Sequence, residues 1–251
     1  MNIMTNLRLF LAASLICVPA FVSAQQASGQ ATQYLGRVIA QTMSYHGAPW
    51  LIRPDRNKEE NTDLVMQQLQ LREGMTACDL GCGNGYYTLK MARQIGESGK
   101  VLAVDIQPEM LNLLKARAQQ DGHDNVVPIL GEIDDPNLPE GEIDLLLLVD
   151  VYHEFSHPEP MLKSIRNSLT DTGVIALLEY RMEDPTVPIK RLHKMSKTQI
   201  LREYAANDLK LVREFNGLPW QHLMFFARSD SSLPEIKATR WTKSNRDDAD
   251  R

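Results

Sequence analysis

The apolar positions change period along this chain, and the changes divide it into elements. Residues 75–78, 101–104, 126–130 and 143–149 are short apolar runs bounded by turn-forming residues. Between and around them lie stretches that read as helices, with apolar residues spaced for one face. These are residues 58–71, with Leu64, Met66 and Leu69, a segment opened by Pro108 with Leu111, Leu114 and Ala118, and residues 158–169 and 196–206. The run 143–149 reads as a central parallel strand buried on both faces. Residues 174–179 predict a further strand, after a helix stopped at Asp171-Thr172-Gly173. Residues 209–215 and 221–227 flank Asn216-Gly217-Leu218-Pro219-Trp220 and read as an antiparallel hairpin. Alternating strands and helices imply an α/β fold, doubly wound, with helices on both faces of a mostly parallel sheet. Seven strands are expected, the last two forming the C-terminal antiparallel hairpin.

The two ends differ from this middle. Arg8 precedes sixteen residues, 9–24, without a charge, ending in Val22-Ser23-Ala24. That is the layout of a signal peptide cut before Gln25. The stretch is short for a membrane-spanning helix, which needs roughly 20 apolar residues, so no stable membrane insertion is expected after cleavage. Export to the periplasm or another extracytoplasmic space follows; a retained N-terminal anchor is the alternative. Residues 25–57 read as a polar linker and a lid segment carrying Trp50, Arg53 and Arg56. Residues 58–228 form the expected domain, and the charged residues 229–251 a disordered tail.

The chain has 251 residues and a formal charge of −5. One core of ordinary domain size fits that length, and the acidic balance does not suggest nucleic-acid binding. Cys78 and Cys82 would span up to about 13 Å if extended, against a disulfide limit of roughly 7 Å between Cα atoms. Two free thiols are expected, and no metal site.

The most informative stretch is Asp79-Leu80-Gly81-Cys82-Gly83-Asn84-Gly85-Tyr86-Tyr87, between the first strand and a helix. Alternate glycines let the backbone turn tightly and let a ligand lie against it, and a helix amino end offers free N–H donors. Asp105 follows at the end of the next strand, where an acid accepts hydrogen bonds from both ribose hydroxyls. A dinucleotide fingerprint is G-x-G-x-x-G around a pyrophosphate; here the spacing is G-x-G-x-G, and the Asp79 carboxylate favours a positively charged ligand.

This stretch resembles the first motif of the class I S-adenosylmethionine-dependent methyltransferases, and Asp105 resembles their ribose-binding acid. The resemblance covers roughly residues 59–228. It implies S-adenosylmethionine as cofactor, bound by Asp79, Gly81, Cys82, Gly83, Gly85, Asp105 and Ile106. It also implies an adenine cap in Gly131-Glu132-Ile133-Asp134, where Ile133 supplies a backbone N–H and either Glu132 or Asp134 the acid.

After the central strand come Asp150-Val151-Tyr152-His153-Glu154-Phe155. Asp150 is placed to bind the cofactor's ammonium group or, less naturally, a divalent metal. His153 is the candidate catalytic base, since imidazole titrates near neutrality, with Glu154 to orient it; packing on the cofactor is its structural alternative. Two clusters are expected to face the substrate: Glu179-Tyr180-Arg181, and the basic loop Lys190-Arg191-Leu192-His193-Lys194 with Lys197, which suits an anionic acceptor. The expected function is methyl transfer to a small-molecule acceptor by in-line displacement. A nicotinamide-dependent oxidoreductase, an aminopropyl transferase and a noncatalytic cofactor-binding protein are the alternatives. Neither the acceptor nor the oligomeric state is legible.

Overall fold

In the computed structural model, which describes residues 33–242, the apolar runs become the strands of one sheet. The signal segment expected at residues 1–24 lies outside the described residues. β1 (Gln33–Tyr34) and β2 (Arg37–Val38) form a small hairpin of their own. Short helices α1 (Ala48–Leu51), α2 (Arg56–Glu60) and α3 (Thr62–Leu69) lead into β3 (Thr76–Leu80). There follow α4 (Tyr86–Ile95), β4 (Lys100–Asp105), α5 (Pro108–Asp121), β5 (Val126–Leu130), β6 (Ile143–Val149) and α6 (Pro158–Ser168). The chain continues through β7 (Leu169–Tyr180), α7 (Lys197–Ala205), β8 (Leu209–Phe215) and β9 (Gln221–Arg228).

The order across the sheet is β5-β4-β3-β6-β7-β9-β8. β5, β4, β3, β6 and β7 pair in parallel, and β9 runs antiparallel between β7 and β8. Side chains alternate across the sheet, so β6 feeds two cores. Leu146 and Leu148 pack with Leu162 and Ile165 of α6 and with Ile200 and Tyr204 of α7. Leu145 and Leu147 pack on the other face with Val65 and Leu69 of α3 and with Met91 and Ile95 of α4. This two-sided burial is why the segment is apolar at consecutive positions.

Three expectations need correction. The helix expected over residues 58–71 is broken at Asn61, which takes a left-handed conformation (φ 53°) and caps α3 by accepting from Leu64 N at 3.3 Å. The break turns Glu60 inward, where its carboxylate accepts from Arg53, Arg56 and the Tyr180 hydroxyl. Next, Asp171-Thr172-Gly173 does not close a helix. It lies inside β7, at a register shift against Ile143 and Leu145 of β6, and a side chain on Gly173 would collide with the Ile143 carbonyl.

The third correction concerns the flanks. Part of the expected linker is strapped to the domain: Arg37 pairs with the buried Glu203 at 2.7 Å, and Ala40 N donates to His153 O at 3.1 Å. The expected disordered tail is laid down as far as residue 242. Ile236 N donates to Leu211 O, Lys197 Nζ to Thr239 O, and the Arg181 guanidinium lies 4.8 Å from the Trp241 ring centroid. Two of these contacts are made by the backbone and one by the Trp241 ring, which counting charges does not reveal.

Candidate active site

Ligands of open parallel sheets bind beyond the carboxyl ends of the strands, where the strand order reverses. Here the reversal falls between β3 and β6, since the chain runs outward from β3 to β4 and β5 before crossing back. A cavity of about 780 Å3 opens at that point. This volume suits a cofactor together with a small substrate.

The glycine turn forms its floor. Gly81, Gly83 and Gly85 all have positive φ (75°, 54° and 85°). At Gly81, which lines the cavity, a Cβ would come within 2.5 Å of Val151 Cγ2. At Gly85, which does not, it would run into Leu114 of α5, so this glycine serves helix packing rather than a ligand. Four amides of the turn are already bonded: those of Gly81 and Cys82 donate to Val104 O, that of Gly83 to Asp105 Oδ2, and that of Gly85, the residue before the helix, to Cys82 O. With these four donors committed the turn is a poor cradle for a pyrophosphate, in keeping with the G-x-G-x-G spacing.

Besides Gly85, two members of the expected site are absent from the cavity wall. Asp79 is buried beneath the turn and accepts from Thr88 Oγ1 at 2.6 Å. Burial raises its pKa to about 6, against the pull of the Thr88 hydroxyl and Arg56. Cys82 packs among Leu89, Ala103, Leu111 and Leu114, its thiol pushed up by burial. Both cysteines are free and buried.

Asp105, Ile106, Glu132 and Ile133 line one end of the cavity, and Asp134 does not. Asp105 has more to do than was expected. Its oxygens accept from Gly83 N at 2.9 Å and Gln107 N at 2.8 Å, tying the ends of β3 and β4 together. Burial raises its pKa, and those backbone donors oppose the rise. Gln107 in turn holds residues 43–45 against the cavity wall, donating to Met43 O and accepting from Tyr45 N. Of the expected lid, Trp50 and Arg56 line the cavity, and Arg53 lies 3.8 Å over the Trp50 ring.

Asp150 ends β6 in a left-handed conformation (φ 50°). Its Oδ2 accepts from Gln221 Nε2 at 3.2 Å, and its Oδ1 is a buried acceptor with no hydrogen-bond partner among the described residues. Burial, with Glu60 and Glu179 near, drives its pKa well up. Arg56, itself buried and paired with Glu60, lines the cavity too.

Beyond Asp150, a 3-10 turn (Tyr152–Glu154) carries His153, and another (Arg191–His193) carries His193. The buried His153 donates from Nδ1 to Glu179 Oε2 at 2.7 Å, and its Nε2 meets His193 Nδ1 at 3.0 Å. Burial alone would lower its pKa; the Glu179 carboxylate, helped by Glu154, outweighs that and holds it above the ordinary value. So Glu179, not Glu154, orients the ring. Glu154 Oε1 stands 3.8 Å from His153 Nε2 and 3.7 Å from His193 Nδ1, while its Oε2 accepts from Met43 N. Burial raises the Glu154 pKa to about 7.

The basic loop divides. Lys190 and His193 line the cavity. Lys194 turns inward onto the carbonyls of Asp184 and Val187, and Lys197 onto Glu214 and Asn216. Tyr180 lines the cavity, whereas Arg181 points away and donates to the carbonyls of Leu218 and Gln221. Along the sequence Glu179 and His193 fall in two separate clusters, and only the fold joins them to His153.

Fold and cavity together define a nucleoside-cofactor protein of the Rossmann-like type, without a pyrophosphate cradle. A profile of the methyltransferase domain matches residues 71–223, and the chain belongs to that family. Its cofactor is S-adenosylmethionine. The chain is similar to the demethylmenaquinone methyltransferase of Lactococcus lactis subsp. lactis, 27% identical over 173 residues, which are 69% of this chain and 65% of the relative. It is also similar to the protein-L-isoaspartate O-methyltransferase of Methanococcoides burtonii, 29% identical over 115 residues, 45% of this chain and 53% of the relative. The matches thus span between about half and two thirds of these curated relatives. Among solved structures, a SAM-dependent methyltransferase from Aquifex aeolicus superposes with a TM-score of 0.69 at 22% identity, covering 74% of this chain and 98% of that one. The [4+2]-cyclase SpnF shares the fold at a TM-score of 0.54 and 19% identity, over 62% of this chain and 58% of that one. The fold therefore does not dictate the reaction. One observation tests the cofactor against these residues: the unpartnered Asp150 Oδ1 is an acceptor, and the cofactor's ammonium group is a donor of the charge it calls for.

Proposed function

We propose that this protein transfers the methyl group of S-adenosylmethionine to an oxygen or nitrogen of an anionic small molecule. The observation that carries the reading is the orphaned Asp150 carboxylate oxygen in the same cavity as Asp105 at one end and His153, His193 and Lys190 at the other. In this reading Asp105 takes the ribose hydroxyls, and Glu132 with the Ile133 amide takes the adenine. Asp150 takes the ammonium group and Arg56 the carboxylate of the amino-acid end. The sulfonium is an activated leaving group, so positioning supplies most of the rate. The group around His153 handles the proton of the acceptor, and Lys190 attracts its negative charge. Calorimetry tests this. S-adenosylmethionine and its demethylated product should bind and NAD should not; NAD binding with no response to either sulfur compound would overturn it.

We further propose that the protein is exported and cut before Gln25. The support is the uncharged run of residues 9–24 after Arg8 and the small residues at its end. Among the described residues no helix is long and apolar enough to cross a membrane. Amino-terminal sequencing with cell fractionation tests this, and an intact Met1 in a soluble cytosolic pool would refute it.

A further inference from the structure

We propose that His153, Glu154 and His193 form a binding site for a divalent metal ion of the zinc class, with one coordination position open to the cavity. Use of that position by the methyl acceptor rests on the methyl-transfer reading; the site itself does not.

The donor set is two imidazoles and a carboxylate, the kind that binds zinc and its neighbours and leaves a fourth position for water or substrate. The geometry is specific. His153 Nε2, His193 Nδ1 and Glu154 Oε1 are separated by 3.0, 3.8 and 3.7 Å. A point in the plane of that triangle lies about 2 Å from all three atoms, within the ordinary range of zinc–nitrogen and zinc–oxygen bonds. The proton now shared between the two rings lies close to where such an ion would sit.

Two of the three ligands are held from behind. His153 gives its Nδ1–H to Glu179 at 2.7 Å, which turns the Nε2 lone pair toward the centre of the triangle. A carboxylate behind a ligating histidine is the usual way to fix its tautomer. Glu154 uses its second oxygen on Met43 N, leaving Oε1 for the centre. Two carboxylates, Glu154 and Glu179, stand beside the two imidazoles, and a cation at the centre of the triangle would favour their ionised forms. Lys190 is the lysine that reaches the cavity, and it is exposed. Because all three ligands line the cavity, the remaining coordination position faces it. An acceptor hydroxyl bound there would lose its proton to water more readily. Its oxygen would form the O–CH3 bond as the S–CH3 bond breaks, the electron pair of that bond staying on the sulfur of the departing thioether.

The test uses the full chain, purified without a polyhistidine tag, stripped with chelator and titrated with Zn2+ by calorimetry and with Co2+ by visible absorption. One equivalent should bind, with the intense visible bands of four- or five-coordinate Co2+. Glu154→Gln and His193→Ala should each weaken Zn2+ at least tenfold. The His193 side chain is 31% exposed and outside the core, so its loss leaves the fold intact, checked by an unchanged melting temperature of the metal-free variant. No binding, or binding unchanged in both variants, would overturn the site and leave His153 and His193 as a proton relay. Cofactor binding is read separately: a chain that binds Zn2+ but not S-adenosylmethionine keeps the site and loses the methyl-transfer reading, and the reverse result does the opposite.

Discussion

His153 and Glu179 meet at 2.7 Å, an imidazole nitrogen on a fully buried carboxylate, each just past or at the end of its own strand of the parallel sheet. The His153 amide also donates to Glu179, at 3.1 Å. The carboxylate therefore sets both the ring and its backbone.

Glu179→Gln should lower turnover about 10- to 100-fold, the usual cost of a lost orienting carboxylate. The dissociation constant for S-adenosylmethionine should hardly change, because Glu179 acts through His153. His153→Ala should show the same split more strongly. Single-turnover kinetics set beside calorimetry checks this. Parallel losses of binding and turnover would make the pair structural. The protonated histidine also steadies the fold. Its pKa is raised, so this contribution is complete below the unfolded value near 6.5 and disappears as pH rises through the folded one.

Asp105→Ala should weaken cofactor binding by about 2–3 kcal/mol, the loss of two hydrogen bonds to a charged acceptor. The structure adds a cost that the strand-end position does not suggest. The Gly83 and Gln107 amides lose their acceptor, so folding stability should fall by roughly 1–3 kcal/mol. Denaturant titration and calorimetry separate the two. An unchanged dissociation constant would remove Asp105 from the ribose.

Asp79→Asn should stabilise the cofactor-free protein at neutral pH. The Asp79 pKa is raised to about 6, so the folded state keeps a proton that the unfolded state releases near 4. Stability from this group falls as pH climbs through that window and stays low above it. The advantage of the variant should be small at pH 4 and grow to a few kcal/mol at most by pH 7, on the order of 1.4 kcal/mol per unit. Unfolding curves of both proteins at the two pH values give the difference. A gap that is the same at both would mean that Asp79 titrates normally.

Glu60→Ala should destabilise the protein by about 3–5 kcal/mol, because Arg56 would remain buried without its partner. The paired arginines depress the Glu60 pKa although burial opposes them. Its contribution is therefore present above the ordinary carboxylate range and is lost as pH falls through the folded value. Cofactor affinity should fall as well, since Arg56 and Tyr180, both held by Glu60, line the cavity. Thermal unfolding at pH 7 and well below the ordinary carboxylate range, at about pH 3, checks the first part: a variant gap that does not shrink at the lower pH would contradict it.

The seven strands, their mostly parallel order and the terminal hairpin were legible in the chain because each depends on neighbours a few residues away. A strand buried on both faces must be apolar at consecutive positions, as β6 is. A glycine turn between a strand and a helix must place its glycines where φ is positive, as residues 81, 83 and 85 do. Asp105, Ile106, Glu132, Ile133, Asp150 and His153 could be placed at the cavity by counting from strand ends, because in a parallel sheet those ends share one edge. Contacts across the chain were not legible. Glu179 and His193 stand 26 and 40 residues from His153, and no local period links them. Cys82 sits within the motif yet packs into the interior, between two glycines that line the cavity, and Asp79 lies in β3 ahead of the turn, where its side chain meets Thr88. Which side chains meet, and which acceptor is left without a donor, depends on how separate strand ends and loops pack over one another, and that is set by the tertiary fold.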